Sequence, residues 1–489
     1  MSPEHARSFG GGVGETMMNP FVLIAMILAI VLIFVLPRKY LVVPFFLMIF
    51  LVPLDEQIVV GGIHFFVSRI MILASLPRMF LSGSKPQETS AGDSLKEVSK
   101  IFFWCIVCQA AAVVLLFHSG EAVINQAGFL LDYLGGFFLV QFLIQDEEDI
   151  VRALKCLAFI SVVIAIGMVR EQFTMQNIFG YIGGSLVPDM REGRVRSAGP
   201  FVHALMAGAF GATMVPLFIG LWMKGQGKVI ALAGVLGGLL ITWASNSSTS
   251  LMTILAGFCA ICFWPMRQKM RTVRWAIGLG LLALHLIMKA PVWFIITHID
   301  LTGGNSNYHR AVLIDAFIRH FSDWVLIGVK DTGTWGWDLW DAQNQYVNIG
   351  ETGGLLALIL FITLISRCFA NLGTARKAIE GDKRQEWFLW LVGSALFANT
   401  IAFLGVNYFD NMKFAWFALI AIIGAATAPL LAPKESLERT VTGRLGQPAL
   451  TRLWVSPSSP KRLLTNRAKE TLRRPAHAAE RVPLKRLPS

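Results

Sequence analysis

Three arginines lie close together in a segment that precedes an apolar stretch of the chain. Arg191, Arg194 and Arg196 are followed by His203, where a helix is predicted to begin. A guanidinium group matches the oxygens of a phosphate, and the N-terminal end of a helix adds partial positive charge. These residues therefore suit the binding of a diphosphate group. Anchoring of the segment to lipid phosphates would use the same chemistry and stays open as an alternative.

A second polar group opens a later segment. His309 and Arg310 come directly before residues 311–325, whose apolar side chains recur at the spacing of an amphipathic helix. We expect this helix to lie along a membrane surface. One of its faces carries charges four residues apart, which favours a ladder of ion pairs: Asp315, Arg319 and Asp323. His309 and Arg310 are the stronger candidates for substrate contact, and His320 is a further candidate.

Aromatic and polar side chains follow this predicted helix. Trp337 and Asp341 lie in a stretch rich in Trp, Gly and Asp. Aromatic rings of this kind are common at membrane interfaces, and they also present flat apolar faces on which sugar rings stack. The polar residues that come next are the remaining candidates for the site: Gln343, Asn344, Tyr346 and Glu351.

The composition indicates the class of fold that positions these segments. The chain has 489 residues, of which 55% are hydrophobic and 15% are charged, with a formal net charge of +12. A soluble domain has about 25% charged residues, so a soluble enzyme and a disordered chain are both excluded. The long apolar blocks also exclude a barrel of alternating strands. We expect an all-α, polytopic membrane protein.

Thirteen apolar segments are candidates for membrane spans of about 20 residues, so 12 or 13 transmembrane helices are predicted. Gly61, Gly62, His64 and Arg69 lie in the third segment, which could therefore be re-entrant. The candidates are residues 20–36, 40–54, 58–76, 101–117, 122–144, 154–169, 200–223, 229–244, 250–265, 275–296, 349–366, 387–405 and 412–430.

Lys and Arg in short connections fix the predicted orientation, because such connections stay in the cytoplasm. They place residues 171–199 and the largest loop, 297–350, together on the outer face. The predicted order is a polar segment 1–19, spans 1–10 over 20–296, the outer loop 297–350, spans 11–13 over 351–430, and a basic, disordered cytoplasmic tail 431–489. Such a tail suits anionic lipids or a cytoplasmic partner.

These segments together resemble the O-antigen ligase and O-antigen polymerase superfamily of bacterial membrane glycosyltransferases. Residues 196–203 are similar to the family's Arg-x-x-Gly stretch at a helix start, and residues 310–329 are similar to its periplasmic helix. Residues 343–353 are similar to its His-Asn-x-Tyr and Glu-x-Gly motif, although Gln343 replaces the histidine. The resemblance covers residues 190–370. It implies about a dozen spans and one large periplasmic loop.

The resemblance also implies an activity: inverting transfer of a glycan from an undecaprenyl diphosphate donor to a glycan or lipid acceptor, at the outer face of the bacterial inner membrane. Arg196 and Arg310 would bind the diphosphate. Glutamine does not accept a proton near neutral pH, so His309, His320 or Asp341 would act as base, or Gln343 would only position substrate. This departure favours a polymerase or exopolysaccharide enzyme over a ligase. The outer loops lack an Asp-x-Asp motif, so we expect neither metal nor cofactor, and no nucleic-acid partner.

Two other classes stay open. A transporter or flippase of lipid-linked glycans, or of another anion, fits the same number of spans. It should place charged residues at mid-membrane, where the sequence offers only Asp132, His285 and Arg69. A non-catalytic assembly component that lost the motif histidine is the third class, and the variant Gln343→His tests it through a gain of ligase activity.

Overall fold

Helices make up nearly all of the regular structure. A computed structural model describes residues 16–81, 92–298 and 306–431. Within these ranges two short antiparallel hairpins are the only strands that form sheets, so the predicted all-α class is confirmed at this level. Most of the predicted N-terminal segment 1–19 and nearly all of the predicted tail 431–489 lie outside the described residues.

The described residues form sixteen α-helices. In chain order, they are α1 Pro20–Val35, α2 Val42–Leu51, α3 Val67–Leu81, α4 Gly92–Phe117, α5 Gly120–Leu130, α6 Gly136–Leu143, α7 Glu147–Thr174, α8 Ala204–Met223, α9 Lys228–Ala244, α10 Ser248–Cys262, α11 Met270–Ile287, α12 Ser306–Arg319, α13 Phe321–Trp324, α14 Gln345–Ala378, α15 Lys383–Ala402 and α16 Met412–Leu431. A π-helical turn, Leu131–Gly135, joins α5 to α6.

Seven of the described helices are long and apolar enough to cross a membrane, as judged by length and composition. Three shorter apolar helices accompany them: α1, α9 and α10. The seven are Ser94–Phe117, Gly120–Leu143, Glu147–Thr174, Ala204–Met223, Trp264–Ile287, Gln345–Ala378 and Met412–Leu431. Their exposed apolar side chains are what a helix facing lipid presents, and these helices indicate a membrane-embedded protein.

One predicted span has a different structure. Residues 58–76 do not form a single helix: strands β1 (Gln57–Val60) and β2 (Ile63–Phe66) pair before α3 begins. Gly61 and Gly62 form the turn, with φ angles of 59° and 78°. Two consecutive positive φ angles suit a tight hairpin turn, which glycine adopts without strain. The two glycines on which the re-entrant alternative rested thus form the turn of a hairpin.

Close packing of α7, α8 and α9 fixes the start of α8, where the arginine segment ends. A Cβ atom on Gly211 of α8 would lie 2.6 Å from the carbonyl oxygen of Gly238 on α9. On the other side of α9, a Cβ on Gly237 would lie 3.0 Å from the Ser161 carbonyl oxygen of α7. Small residues let apolar helices approach this closely, as is common in membranes.

The predicted amphipathic helix is present but breaks at His320, between α12 and α13. Leu313, Phe317 and Trp324 are buried against Val347 of α14 and its neighbours. The ladder forms only in part. Asp315 and Arg319 are paired at 2.6 Å, while the third charged residue, Asp323, pairs with His320 at 3.0 Å.

Candidate functional site

A β-hairpin presents the three arginines of the first segment. Strands β3 (Asp189–Arg191) and β4 (Arg194–Arg196) pair in antiparallel fashion, with Arg191 opposite Arg194. Glu192 and Gly193 form the turn, with φ angles of 51° and 74°. Alternate residues of a strand point to the same side, so Arg194 and Arg196 share one face while Val195 is buried on the other.

Arg310, the fifth residue of α12, is a buried cation with 5% of its surface exposed. Its Nη1 donates to Asn307 Oδ1 at 2.6 Å and to Ser248 Oγ at 3.5 Å, and its Nε has no hydrogen-bond partner. Arg310 belongs to none of the ion pairs within 4.0 Å among the described residues. A buried guanidinium group without a carboxylate is costly, so the site is suited to an anionic ligand.

The environment of Arg310 is electropositive. Burial, together with the smaller effect of the charges of Arg191 and Arg196, lowers its pKa to about 10. Burial also lowers the pKa of Arg196, although Asp189, whose Oδ2 lies 3.1 Å from the Arg196 Nη1, opposes this effect. Arg310 stays protonated at neutral pH. Arg310 and the hairpin arginines Arg191 and Arg196 are far apart in the chain, but they lie close enough in space for their charges to repel.

One cavity of about 700 Å³ contains this cluster. We call it the arginine cavity. The sequence-predicted candidates that line it are Arg191, Arg194, Arg196, His203, Arg310, Asp341 and Gln343. Five carboxylates also belong to its wall: Asp55, Glu171, Asp189, Glu192 and Asp341. The volume falls in the range of roughly 300–1,000 Å³ typical of ligand sites. The same cavity thus contains cations that can bind an anion and carboxylates that can accept a proton.

Gln343 orients a carboxylate of this wall. Its Nε2 donates to Asp341 Oδ2 at 2.8 Å, and its backbone N–H donates to the Asp341 carbonyl oxygen at 3.0 Å. Asp341 Oδ1 accepts no hydrogen bond from the described residues. Gln343 therefore engages one oxygen of the Asp341 carboxylate and leaves the other free to receive a proton.

His203 borders the same cavity with an exposed side chain. It occupies the N-cap position of α8, and its ring lies 6.1 Å from that of Phe409, centroid to centroid. The first residues of α8, Ala204–Met206, line the cavity as well.

Three predicted candidates lie away from the arginine cavity. The His309 Nε2 lies 2.7 Å from the carbonyl oxygen of Asp338, and the His320 ring stacks on Trp335 at 5.4 Å. Trp337 is 93% exposed. None of the three lines the cavity, so the structure does not bring them to the arginines.

Three further candidates lie at the start of α14, where they have structural roles. Asn344 caps the helix, because its Oδ1 accepts from the backbone N–H groups of Tyr346 and Val347 at 2.9 and 3.2 Å. The Tyr346 hydroxyl donates to the Thr400 carbonyl oxygen at 3.1 Å. Glu351 is buried on the same helix. These residues position the segment that carries Asp341 and Gln343, and they do not line the arginine cavity.

Two carboxylates that the sequence reasoning missed hold the turn before α8. Glu171 accepts from the backbone N–H groups of Ala198 and Gly199, at 3.1 Å each. Asp410 Oδ2 accepts from the Val202 N–H at 3.0 Å, and burial raises the pKa of Asp410. Glu171 could have been noticed as an acid at the end of an apolar helix. Asp410 and Val202 are 208 residues apart, so no local sequence pattern predicts their contact.

A polar run between α9 and α10 was also missed. Its residues Asn246, Ser247 and Ser248 line the arginine cavity. Ser248 is also a partner of Arg310. The available signal was a row of hydroxyl and amide side chains between two apolar helices.

Neither the models of known protein families nor the curated proteins match this chain.

Proposed function

We propose that the protein is a membrane glycosyltransferase that polymerises or ligates glycans, with an undecaprenyl diphosphate-linked glycan as donor. One observation carries the proposal: Arg310 is buried, lacks a carboxylate partner among the described residues, and shares a cavity with Arg191, Arg194 and Arg196. A diphosphate supplies the negative charge that the buried guanidinium lacks, and the arginine fork matches its oxygens.

The proposal includes a location. The chain would cross the bacterial inner membrane 12 or 13 times, with the C-terminus in the cytoplasm; the seven long apolar helices and the three shorter ones supply up to ten of these crossings. The arginine cavity would then face the periplasm, where a lipid-linked donor presents its head group. Membrane lipids would surround the exposed apolar faces of the helices.

The cavity residues suit one transfer step. The acceptor hydroxyl oxygen bonds to the anomeric carbon of the donor, with inversion. The bond from that carbon to the diphosphate oxygen breaks, and the electron pair stays on the diphosphate. Arg310 and Arg196 stabilise the charge that develops there, an effect that is often the largest in an enzyme. The proton of the acceptor hydroxyl passes to a carboxylate.

Asp341 is the best base among the four candidates. It lines the cavity with the arginines, whereas His309 and His320 do not, and Gln343 holds one of its oxygens at 2.8 Å. In this role Gln343 is a positioning residue. The Gln343 amide orients Asp341, and the Asp341 carboxylate receives the proton.

Transfer in proteoliposomes tests the proposal. The full chain is supplied with a radiolabelled undecaprenyl diphosphate-linked oligosaccharide and an unlabelled glycan acceptor, and new glycosidic bonds are counted. We expect Arg310→Gln to lower the rate by about 10²- to 10³-fold, and Asp341→Asn by about 10²- to 10⁴-fold. The matched control Arg319→Gln, on the exposed face of the same helix, keeps the parent rate. Full activity of both cavity variants contradicts the proposal.

A transporter of lipid-linked glycans is the second candidate, and the cluster of Arg69, Asp132 and Lys413 favours it. Arg69 contacts both oxygens of Asp132 at 3.0 and 3.1 Å, beside the π-helical turn between α5 and α6. Ionisable residues and π turns inside apolar helices often mark transport pathways. Movement of labelled lipid across the vesicle membrane without a new glycosidic bond supports this candidate.

A further inference from the structure

A second cavity, of about 220 Å³, lies among α4, α5, α14 and α16. We call it the amide cavity. Its wall contains five amide side chains, from Gln109, Gln126, Gln345, Asn348 and Asn125. The first three are at least 91% buried. Buried amides are costly unless their hydrogen-bonding groups are used, so their unused groups indicate what the cavity accepts.

Several of these amide groups have no protein partner within the described ranges. Gln345 Oε1 accepts from the Tyr408 N–H at 2.6 Å, which leaves Gln345 Nε2 without an acceptor. Gln126 Nε2 donates to the Asn125 side chain at 3.1 Å, which leaves Gln126 Oε1 without a donor. Asn348 Oδ1 likewise accepts nothing. The cavity thus offers both donors and acceptors, as a ligand with hydroxyl groups requires.

Aromatic rings form much of the remaining wall. Phe403 packs against Tyr408 at 4.6 Å and against Trp416 at 5.2 Å, and Tyr133 lies near Phe417 at 5.9 Å, measured between ring centroids. Such rings offer rigid apolar faces. A wall that contains both amides and aromatic faces suits a sugar ring: the amides can bind its outward-pointing hydroxyl groups, and the rings can pack on its apolar C–H face.

The charge around the amide cavity favours an uncharged ligand. Lys413 is the charged residue that lines it in the described chain, and its Nζ lies 3.7 Å from Asp132 Oδ2. Asp132 is also paired with Arg69, and the charge of Lys413 lowers the pKa of Asp410 against the effect of burial. Two cations therefore face two carboxylates. The arginine cavity differs, because its Arg310 has no such partner.

Two stretches of chain divide the cavities. Gln343 lines the arginine cavity and Gln345 lines the amide cavity, on either side of Asn344, whose backbone is extended. Likewise, Phe409 lines the arginine cavity and Tyr408 the amide cavity. Residues that are only one or two positions apart in the chain therefore line different cavities. The two cavities are thus adjacent and share a wall.

We infer that the amide cavity binds one uncharged sugar ring. Its volume is below the roughly 300 Å³ of sites for drug-sized ligands, which limits the occupant to a single ring. The amides bind the hydroxyl groups and the aromatic rings cover the C–H face. That this ring belongs to the glycan acceptor rests on the proposed function; the binding itself does not.

Saturation-transfer NMR tests the inference on the full chain in a detergent without sugar groups. The probes are glucose, galactose and N-acetylglucosamine at millimolar concentrations. We expect transfer to at least one of them, and affinities about three- to tenfold weaker in Asn348→Leu and in Gln126→Leu. The matched control is Gln141→Leu, which removes an amide bonded to Ser99 outside the cavity and should leave binding unchanged.

Inorganic pyrophosphate separates this inference from the proposed function. It should bind the Asn348→Leu variant as tightly as the parent and should bind Arg310→Gln more weakly, while sugars show the reverse order. Thermal unfolding of each variant checks that it is folded. The inference is overturned if no sugar gives a signal, if Gln141→Leu weakens binding as much as the cavity variants, or if farnesol, an apolar chain, displaces the sugar. Loss of pyrophosphate binding alone overturns only the diphosphate site.

Discussion

Two largely buried arginines differ in their charge partners: a carboxylate neutralises Arg69, whereas Arg310 has none among the described residues. Arg69 lies in α3 with both oxygens of Asp132 within 3.1 Å, and Lys413 lies close by. Arg310 lies in α12 with only an amide and a hydroxyl oxygen as partners, while Arg191 and Arg196 raise the local positive potential. A buried cation that the protein neutralises itself contributes to the fold, whereas one that it leaves unneutralised is available to a ligand.

The largest difference should appear in stability. Arg69→Gln leaves the Asp132 carboxylate buried with only Lys413, at 3.7 Å, so we expect the free energy of unfolding to fall by about 3–5 kcal/mol. Arg310→Gln removes a buried charge that lacks a carboxylate, so stability should stay the same or rise. The two variants are compared by thermal unfolding in the same detergent. Equal destabilisation would show that the two arginines do not differ in the way proposed.

The helices of this protein were largely predictable from sequence. Residues 229–244 and 412–430 were predicted as helices and correspond to α9 and α16, because long apolar runs have few other ways to satisfy their backbone. Residues 58–76 were predicted as a span or a re-entrant segment; the pair Gly61-Gly62 indicated a break in the helix, but not the hairpin that forms there. Composition identifies a buried segment, but turn residues decide its path.

The site was predictable in part. The arginines were found because their type alone suggests anion binding, and the cavity contains all four of them. Asp410 was not, because its role depends on a backbone N–H 208 positions away. The histidines show the opposite error: His320 has suitable chemistry, but its ring stacks on Trp335 outside the cavity. Residue type indicates chemistry, and only packing determines whether that chemistry reaches a ligand.

A smaller effect is expected from displacing Arg310 without removing it. A Cβ on Gly405 would lie 2.7 Å from Thr249 Oγ1 and 3.0 Å from Arg310 Nε, so Gly405→Ala must shift one of them. Overpacking of this kind costs about 1–3 kcal/mol, and we expect pyrophosphate affinity to fall by roughly three- to tenfold. Gly373→Ala is the matched control, since a Cβ there meets nothing within 4 Å. Binding titrations should separate the two variants, and equal affinities would mean that the guanidinium position is unimportant.

The smallest effect concerns pH. Burial and two neighbouring arginines lower the pKa of Arg310 to about 10, so at any pH below about 9 the group remains almost entirely protonated. Its contribution to anion binding should therefore be constant there. The quantity to measure is the ratio of pyrophosphate affinities of the parent and Arg310→Gln between about pH 6 and pH 9, because taking a ratio cancels the titration of pyrophosphate itself. A ratio that changes severalfold within this range would mean that a group other than a permanently charged Arg310 governs binding, and the contrast with Arg69 would then lose its electrostatic basis.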